Sequence, residues 1–213
     1  MNALILVDLQ NDFMPGGALA VAEGDQVVQV ANRLMPYFDF VVATQDWHPA
    51  DHMSFASQHH GKAVGETTVL DGLEQVLWPD HCVEDTPGAN LHATLKQSRI
   101  HEFVHKGTNP RIDSYSGFFD NGKRQSTGLR ELLKKNKVQK VFVMGLATDY
   151  CVKWTALDAI GLGLETLLIE DGCRGVDLNP GDIGSAIDEL RSAGVRIITS
   201  QDVKGLVIAT EGV

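Results

Sequence analysis

Cysteine is scarce in this 213-residue chain: Cys82, Cys151 and Cys173 are an odd, widely spaced set. That excludes a disulfide framework and points to a reducing cytoplasm. Basic residues are also few, 18 lysines and arginines against 28 acids, and the resulting charge of −10 argues against nucleic acid or an anionic membrane as partner. No apolar run approaches the ~20 residues that span a bilayer. The apolar segment 3–7 lacks a preceding basic region and is interrupted by Asp8, so no secretory leader is expected. Repeats, low-complexity linkers and composition shifts are missing too, which leaves a single domain over 1–213. With 43% hydrophobic residues, a chain of this length can bury a substantial core. No pattern bears on oligomeric state.

What is present is a regular alternation. Short apolar, β-branched runs recur at 3–7, 40–44, 102–105, 140–144, 165–169 and 196–199. Nearly continuous apolar runs of this length suit parallel strands covered on both faces. Between them lie amphipathic helical patterns at 26–38, 128–136, 150–160 and 182–193, the last followed by Gly194 as a C-cap. Alternation of this kind predicts an α/β fold: one six-stranded, mainly parallel sheet with helices on both faces in three layers. The connection from 44 to about 102 is long and irregular, and such connections are usually functional.

Within it, Asp46-Trp47-His48-Pro49-Ala50-Asp51-His52 packs a carboxylate and two imidazoles into seven residues, and His81 follows in Trp78-Pro79-Asp80-His81-Cys82. One carboxylate with three imidazoles suits zinc, iron or manganese. Pro49 makes the segment a loop that matches no standard zinc motif, so a surface loop with scattered histidines is the alternative reading. His59 and His60 read as surface residues. Ligands of open α/β sheets bind beyond the carboxyl ends of strands. Asp8, the Asp46–His48 cluster, Lys106 and the segment Gly145-Leu146-Ala147-Thr148-Asp149-Tyr150-Cys151 each follow a strand and so converge on one edge.

Thr148 or Asp149 would cap the helix that follows, placing Cys151 in its first turn, where free N–H groups and the helix dipole favour a thiolate and could hold an oxyanion. Otherwise Cys151 is a small buried hydrophobe, the reading kept for Cys82 and Cys173, although Cys82 adjoins a presumed ligand. Asp8 is either a turn cap or a carboxylate that takes the thiol proton and returns it to a leaving amine. Lys106 is either a solvated strand end or the cation stabilising both.

Taken together, Val7-Asp8-Leu9-Gln10-Asn11-Asp12-Phe13, the Asp46, His48, His52 and His81 set, His105-Lys106-Gly107 and the Gly145–Cys151 segment resemble the nicotinamidase/pyrazinamidase branch of the isochorismatase-like hydrolases. The resemblance runs essentially the full length, with the motifs in order. It implies Asp8, Lys106 and Cys151 as the catalytic triad, and Asp46, His48, His52 and His81 as ligands of one divalent metal. Zinc comes first for that site, with iron or manganese as alternatives. The N–H groups of Ala147 and Cys151 would form the oxyanion hole, beside a cis peptide between Leu146 and Ala147. It further implies a substrate pocket of Phe13, Trp78, Tyr115 and Leu146 around a flat pyridine, which aromatic side chains stack well. The implied activity is hydrolysis of nicotinamide, and also pyrazinamide, through a cysteine thioester in pyridine-nucleotide salvage. The metal would hold the ring nitrogen, although spacing alone leaves water activation equally open. Rival readings are a carbamoyl or ureido amidase of the same fold and a non-catalytic metal-binding member.

Overall fold

Continuous aliphatic runs stay out of water only if a sheet is covered on both faces. In chain order the elements are β1 (Asn2–Val7), α1 (Gly24–Leu34), β2 (Phe40–Asp46), β3 (Thr67–Leu70), β4 (Leu73–Val76), β5 (Glu102–Lys106), α2 (Leu129–Lys135), β6 (Lys140–Leu146), α3 (Lys153–Gly161), β7 (Glu165–Arg174), α4 (Asp182–Ser192), β8 (Arg196–Ile198) and α5 (Ser200–Ile208). The computed structural model describes residues 1–208; positions 209–213 of the expected domain lie outside the described residues.

Six strands form one parallel sheet in the order β5-β2-β1-β6-β7-β8. Except for Asn2 and Lys140, every residue of β1, β2 and β6 is buried. The chain winds outward from β1 to β5, then returns to the centre and winds outward again from β6 to β8. Right-handed crossovers in opposite directions put the connecting helices on opposite faces. The winding reverses between β1 and β6, and their carboxyl ends deliver Asp8 and the Gly145–Cys151 segment. In doubly wound sheets this reversal opens the ligand crevice. Neighbouring β2 and β5 pair Asp46 with Lys106 in register, which brings two further charged side chains to the same place.

Several boundaries differ from the sequence expectation. The strands β2 and β6 run two residues further, so that Asp46 and Leu146 belong to the sheet. Helix α1 stops at Leu34, because Pro36 has no N–H to continue it and the chain tightens into a 3₁₀ turn over Met35–Tyr37. The long connection is less irregular than it reads. It contains the antiparallel hairpin β3–β4, turned by Asp71 and Gly72 at φ +50° and +85°, the left-handed pair of a two-residue hairpin loop. Helix α5 was not anticipated; Ser200 anchors its start to Asp171 through its N–H (2.7 Å) and hydroxyl (2.5 Å). Among the described residues, no helix is long and apolar enough to cross a membrane.

Candidate active site

Asp8 leaves β1 at φ +50°, which turns its carboxylate back into the crevice. Its Oδ1 accepts the Thr44 hydroxyl at 2.6 Å, while Lys106 Nζ stands 2.9 Å from Oδ2. Lys106 is the hub: Nζ also reaches Asp46 Oδ1 at 2.5 Å, the Ser114 carbonyl at 2.9 Å and Cys151 Sγ at 3.3 Å. All four side chains are buried. Oxygens of Asp8 and Asp46 and the Cys151 sulfur lie within 4.8 Å of one another.

One ammonium among three acidic groups sets their protonation. Burial works against a charged Lys106, but Asp46 and Asp8 outweigh it and hold its pKa well above the lysine range. Asp46 is likewise opposed by burial, yet Lys106 and His48 draw it well below the carboxylate range. For Asp8 burial prevails over the pull of Lys106, so its pKa is raised. Burial also pushes the Cys151 thiol well up; Lys106 offsets part of this, and the carboxylates of Asp8 and Asp46 add to it. Burial thus favours the protonated thiol, beside a carboxylate with raised proton affinity.

The turn that carries this sulfur differs from the expected first turn of an α-helix. Cys151 sits in a π-helical turn over Thr148–Val152, entered from Ala147, and α3 begins only at Lys153. Neither Thr148 nor Asp149 caps it. The Asp149 carboxylate instead accepts the N–H groups of Val176 (2.9 Å) and Asp177 (2.8 Å), tying the loop after β7 to the cysteine turn. The Leu146–Ala147 peptide is cis. Just before it, Gly145 (φ +134°) passes so close to β1 that a Cβ would lie 2.1 Å from the Val7 carbonyl oxygen.

The metal-binding candidates stand alongside. The Nε2 atoms of His48 and His81 are 3.7 and 3.8 Å from Asp46 Oδ2. Each imidazole is anchored through its other nitrogen: His48 Nδ1 to the Gly107 carbonyl (2.8 Å), His52 Nδ1 to Ser54 Oγ (2.7 Å) and His81 Nδ1 to the Pro79 carbonyl (2.8 Å). Imidazoles held in this way through the far ring nitrogen are typical of metal ligands. It leaves the buried Nε2 atoms of His48 and His52 without a hydrogen-bond partner. Burial pushes His52 down to about 4, which keeps its ring neutral and its lone pair available. Orphaned imidazole nitrogens beside a depressed carboxylate fit a divalent cation. The four candidates fall in two groups that share His48. Asp46, His48 and His81 group together, whereas His52 groups with His48 and Asp113, a buried carboxylate absent from the sequence reading. His59 is also less of a surface residue than expected: its ring bonds the Met53 carbonyl at 2.7 Å and is half-buried.

A cavity of about 20 Å³ joins these groups, bounded by Asp46, His81, Asp113, Cys151 and the rings of Trp78 and Tyr115, with Tyr150 at its edge. Trp78 Nε1 donates to the Tyr115 hydroxyl at 3.2 Å. Phe13 stands one layer back, edge-on to His81 at 5.5 Å, and the Leu146 side chain points toward Gly24 of α1 rather than into this cavity. Tyr150, perpendicular to Trp78 at 4.9 Å, was not foreseen, although it directly precedes the cysteine.

A crevice with a buried thiol, carboxylate and ammonium at a doubly wound switch point matches a known domain: the isochorismatase domain model aligns with residues 2–202. The chain belongs to the isochorismatase family. Within that family it is 54% identical to the nicotinamidase of Escherichia coli over 94% of this chain and 96% of the relative. Among solved structures it superposes on an Acinetobacter baumanii nicotinamidase–pyrazinamidase with a TM-score of 0.92 at 45% identity, covering 95% and 97% of the two chains. A Pyrococcus horikoshii pyrazinamidase solved in complex with zinc matches with a TM-score of 0.76 at 38% identity, covering 93% and 98%.

Proposed function

We propose that this chain hydrolyses nicotinamide to nicotinate and ammonia, accepts pyrazinamide as well, and so feeds pyridine-nucleotide salvage. The observation that carries the reading is the single buried ammonium of Lys106 in contact with Asp8, Asp46 and Cys151 at once. High identity to curated nicotinamidases supports the substrate. The three free thiols suit a reducing cytoplasm.

Chemistry follows from the proton positions. As Cys151 Sγ adds to the carboxamide carbon, its proton passes to Asp8, whose raised affinity suits it to receive one. The new oxyanion rests on the N–H groups of Ala147 and Cys151. When the C–N bond breaks, Asp8 gives the proton to nitrogen, ammonia departs and a thioester remains. Water then gives a proton to Asp8 and adds to the thioester carbon; the C–S bond breaks, and the sulfur recovers its proton. Throughout, Lys106 stays charged and compensates whichever neighbour is anionic. Trp78 and Tyr115 border the cavity that takes the ring, with Phe13 behind His81 one layer back. Asp46, His48, His52 and His81 would hold a divalent cation, zinc before iron or manganese, and that cation would supply a Lewis acid for the ring nitrogen.

An ammonia-release assay on nicotinamide, run with and without chelator, tests substrate and metal together. Release that chelation abolishes is the expected result. Hydrolysis of carbamoyl or ureido substrates with none of nicotinamide would overturn the reading.

A further inference from the structure

The hairpin β3–β4 lies outside the main sheet, yet it sends one polar side chain into the active site. Gln75 on β4 is buried, and its Nε2 has three acceptors within reach: the Val76 carbonyl at 2.8 Å, the Tyr115 hydroxyl at 3.0 Å and Asp113 Oδ2 at 3.2 Å. An amide nitrogen has two hydrogens, so they are shared among the three. Tyr115 oxygen also accepts the Trp78 indole N–H. With two N–H groups directed at it, the hydroxyl oxygen acts as acceptor twice, and its own proton is left to donate elsewhere. On the other side, Asp113 Oδ1 is held by the Ser114 N–H at 2.7 Å, so Gln75 supplies the second restraint on that carboxylate. Asp113 and Tyr115 border the small cavity at Cys151, and the carbonyl of Ser114 between them receives Lys106 Nζ.

We infer that Gln75 is a positioning residue for the amidase reaction, fixing Tyr115 and Asp113 as two walls of the substrate cavity without touching the reacting atoms. The inference rests on the nicotinamide reading given above. It makes the hairpin part of substrate recognition. A side chain of the same length lacking the donor leaves the hydroxyl and the carboxylate free to turn, which weakens binding of the ring more than it slows the chemistry.

The test compares Gln75→Met, which keeps length and volume, with Gln75→Glu, which keeps shape but faces Asp113 with a second carboxylate. Steady-state kinetics on nicotinamide should show KM raised about tenfold in Gln75→Met, with kcat within about threefold of wild type, and a larger rise in Gln75→Glu. Calorimetric titration of nicotinamide into Cys151→Ala protein, with and without Gln75→Met, reads the same loss in Kd with no turnover. In a Tyr115→Phe background the KM effect of Gln75→Met should shrink at least threefold, because coupled residues are not additive. A residue that merely steadied the hairpin would give the same factor in both backgrounds, and that result overturns the inference. Unchanged KM in both single variants does so too, while wild-type ammonia release leaves the nicotinamide reading intact. Should Gln75→Glu fail to fold, Gln75→Met and the calorimetry carry the comparison. Wild-type protein that neither binds nor hydrolyses nicotinamide removes the reading and the inference together.

Discussion

Gly107 offers the sharpest test of the metal centre. It follows Lys106 at φ +64°, and its carbonyl oxygen anchors His48 Nδ1 at 2.8 Å. A Cβ added here would lie 2.3 Å from His48 Cε1 and 2.6 Å from Nδ1, about 1 Å inside ordinary van der Waals contact. Gly107→Ala therefore carries two costs: roughly 1–2 kcal/mol for a left-handed alanine and about 1–3 kcal/mol for overpacking. Relief comes only by pushing the imidazole away. Ligand distances tolerate about ±0.2 Å, so a displacement near 1 Å takes Nε2 out of coordination range. The expected result is a stability loss of about 2–5 kcal/mol in urea, with metal affinity reduced on the order of 10- to 100-fold. Metal content would be measured by mass spectrometry across a series of buffered free zinc concentrations, beside urea unfolding with zinc and with chelator. Wild-type zinc affinity in a variant of wild-type stability would refute the assignment of His48 as a ligand anchored by this glycine.

Other consequences can be checked independently. Cys151→Ala should lower ammonia release from nicotinamide by at least ~10³-fold, measured in a coupled ammonia assay, since the covalent route is lost. Lys106→Met leaves two buried carboxylates without their cation, and urea unfolding at neutral pH should show a loss of about 3 kcal/mol or more. At the start of α5, Asp202 accepts the Thr199 N–H and hydroxyl, both at 2.8 Å, and these bonds draw its pKa below 3.8. A lowered acid pKa stabilises the fold above the unfolded value and loses that contribution as pH falls through the folded one. Asp202→Asn should therefore reduce Tm at pH 7, with the gap to wild type closing below about pH 3.8.

Much of this molecule could be read before its coordinates, for identifiable reasons. Runs such as 3–7 and 140–144 show their burial directly in composition, so the sheet and its helices were visible. Asp8, Lys106 and Cys151 could be aligned because strand ends in a parallel sheet share one edge, whatever the distance along the chain. Three kinds of feature stayed hidden. The Cys151 turn obeys tertiary bonds from Asp149 to Val176 and Asp177, which no local propensity encodes. Asp113 and Gln75 act at short range in space but come from a loop and a four-residue strand with little periodicity of their own. The hairpin does carry a signal in the sequence, the Asp71-Gly72 pair between apolar neighbours. His52 differs in kind: four ligand-type residues were legible, but their division between two overlapping groups depends on where rings turn in space.

The hairpin is attached to the body of the protein at its turn and along β4. Its turn is clasped from outside by the exposed Arg124–Asp71 pair, and Gln75 is its reach inward. The bond-making groups, by contrast, are buried at strand ends and in the turn after β6, where any change disturbs the core. Chemistry and recognition are thus housed in parts that can drift at different speeds. A lineage, or an engineer, could vary residues 67–76 to admit a differently shaped amide and leave the thiol, its carboxylate and its lysine untouched.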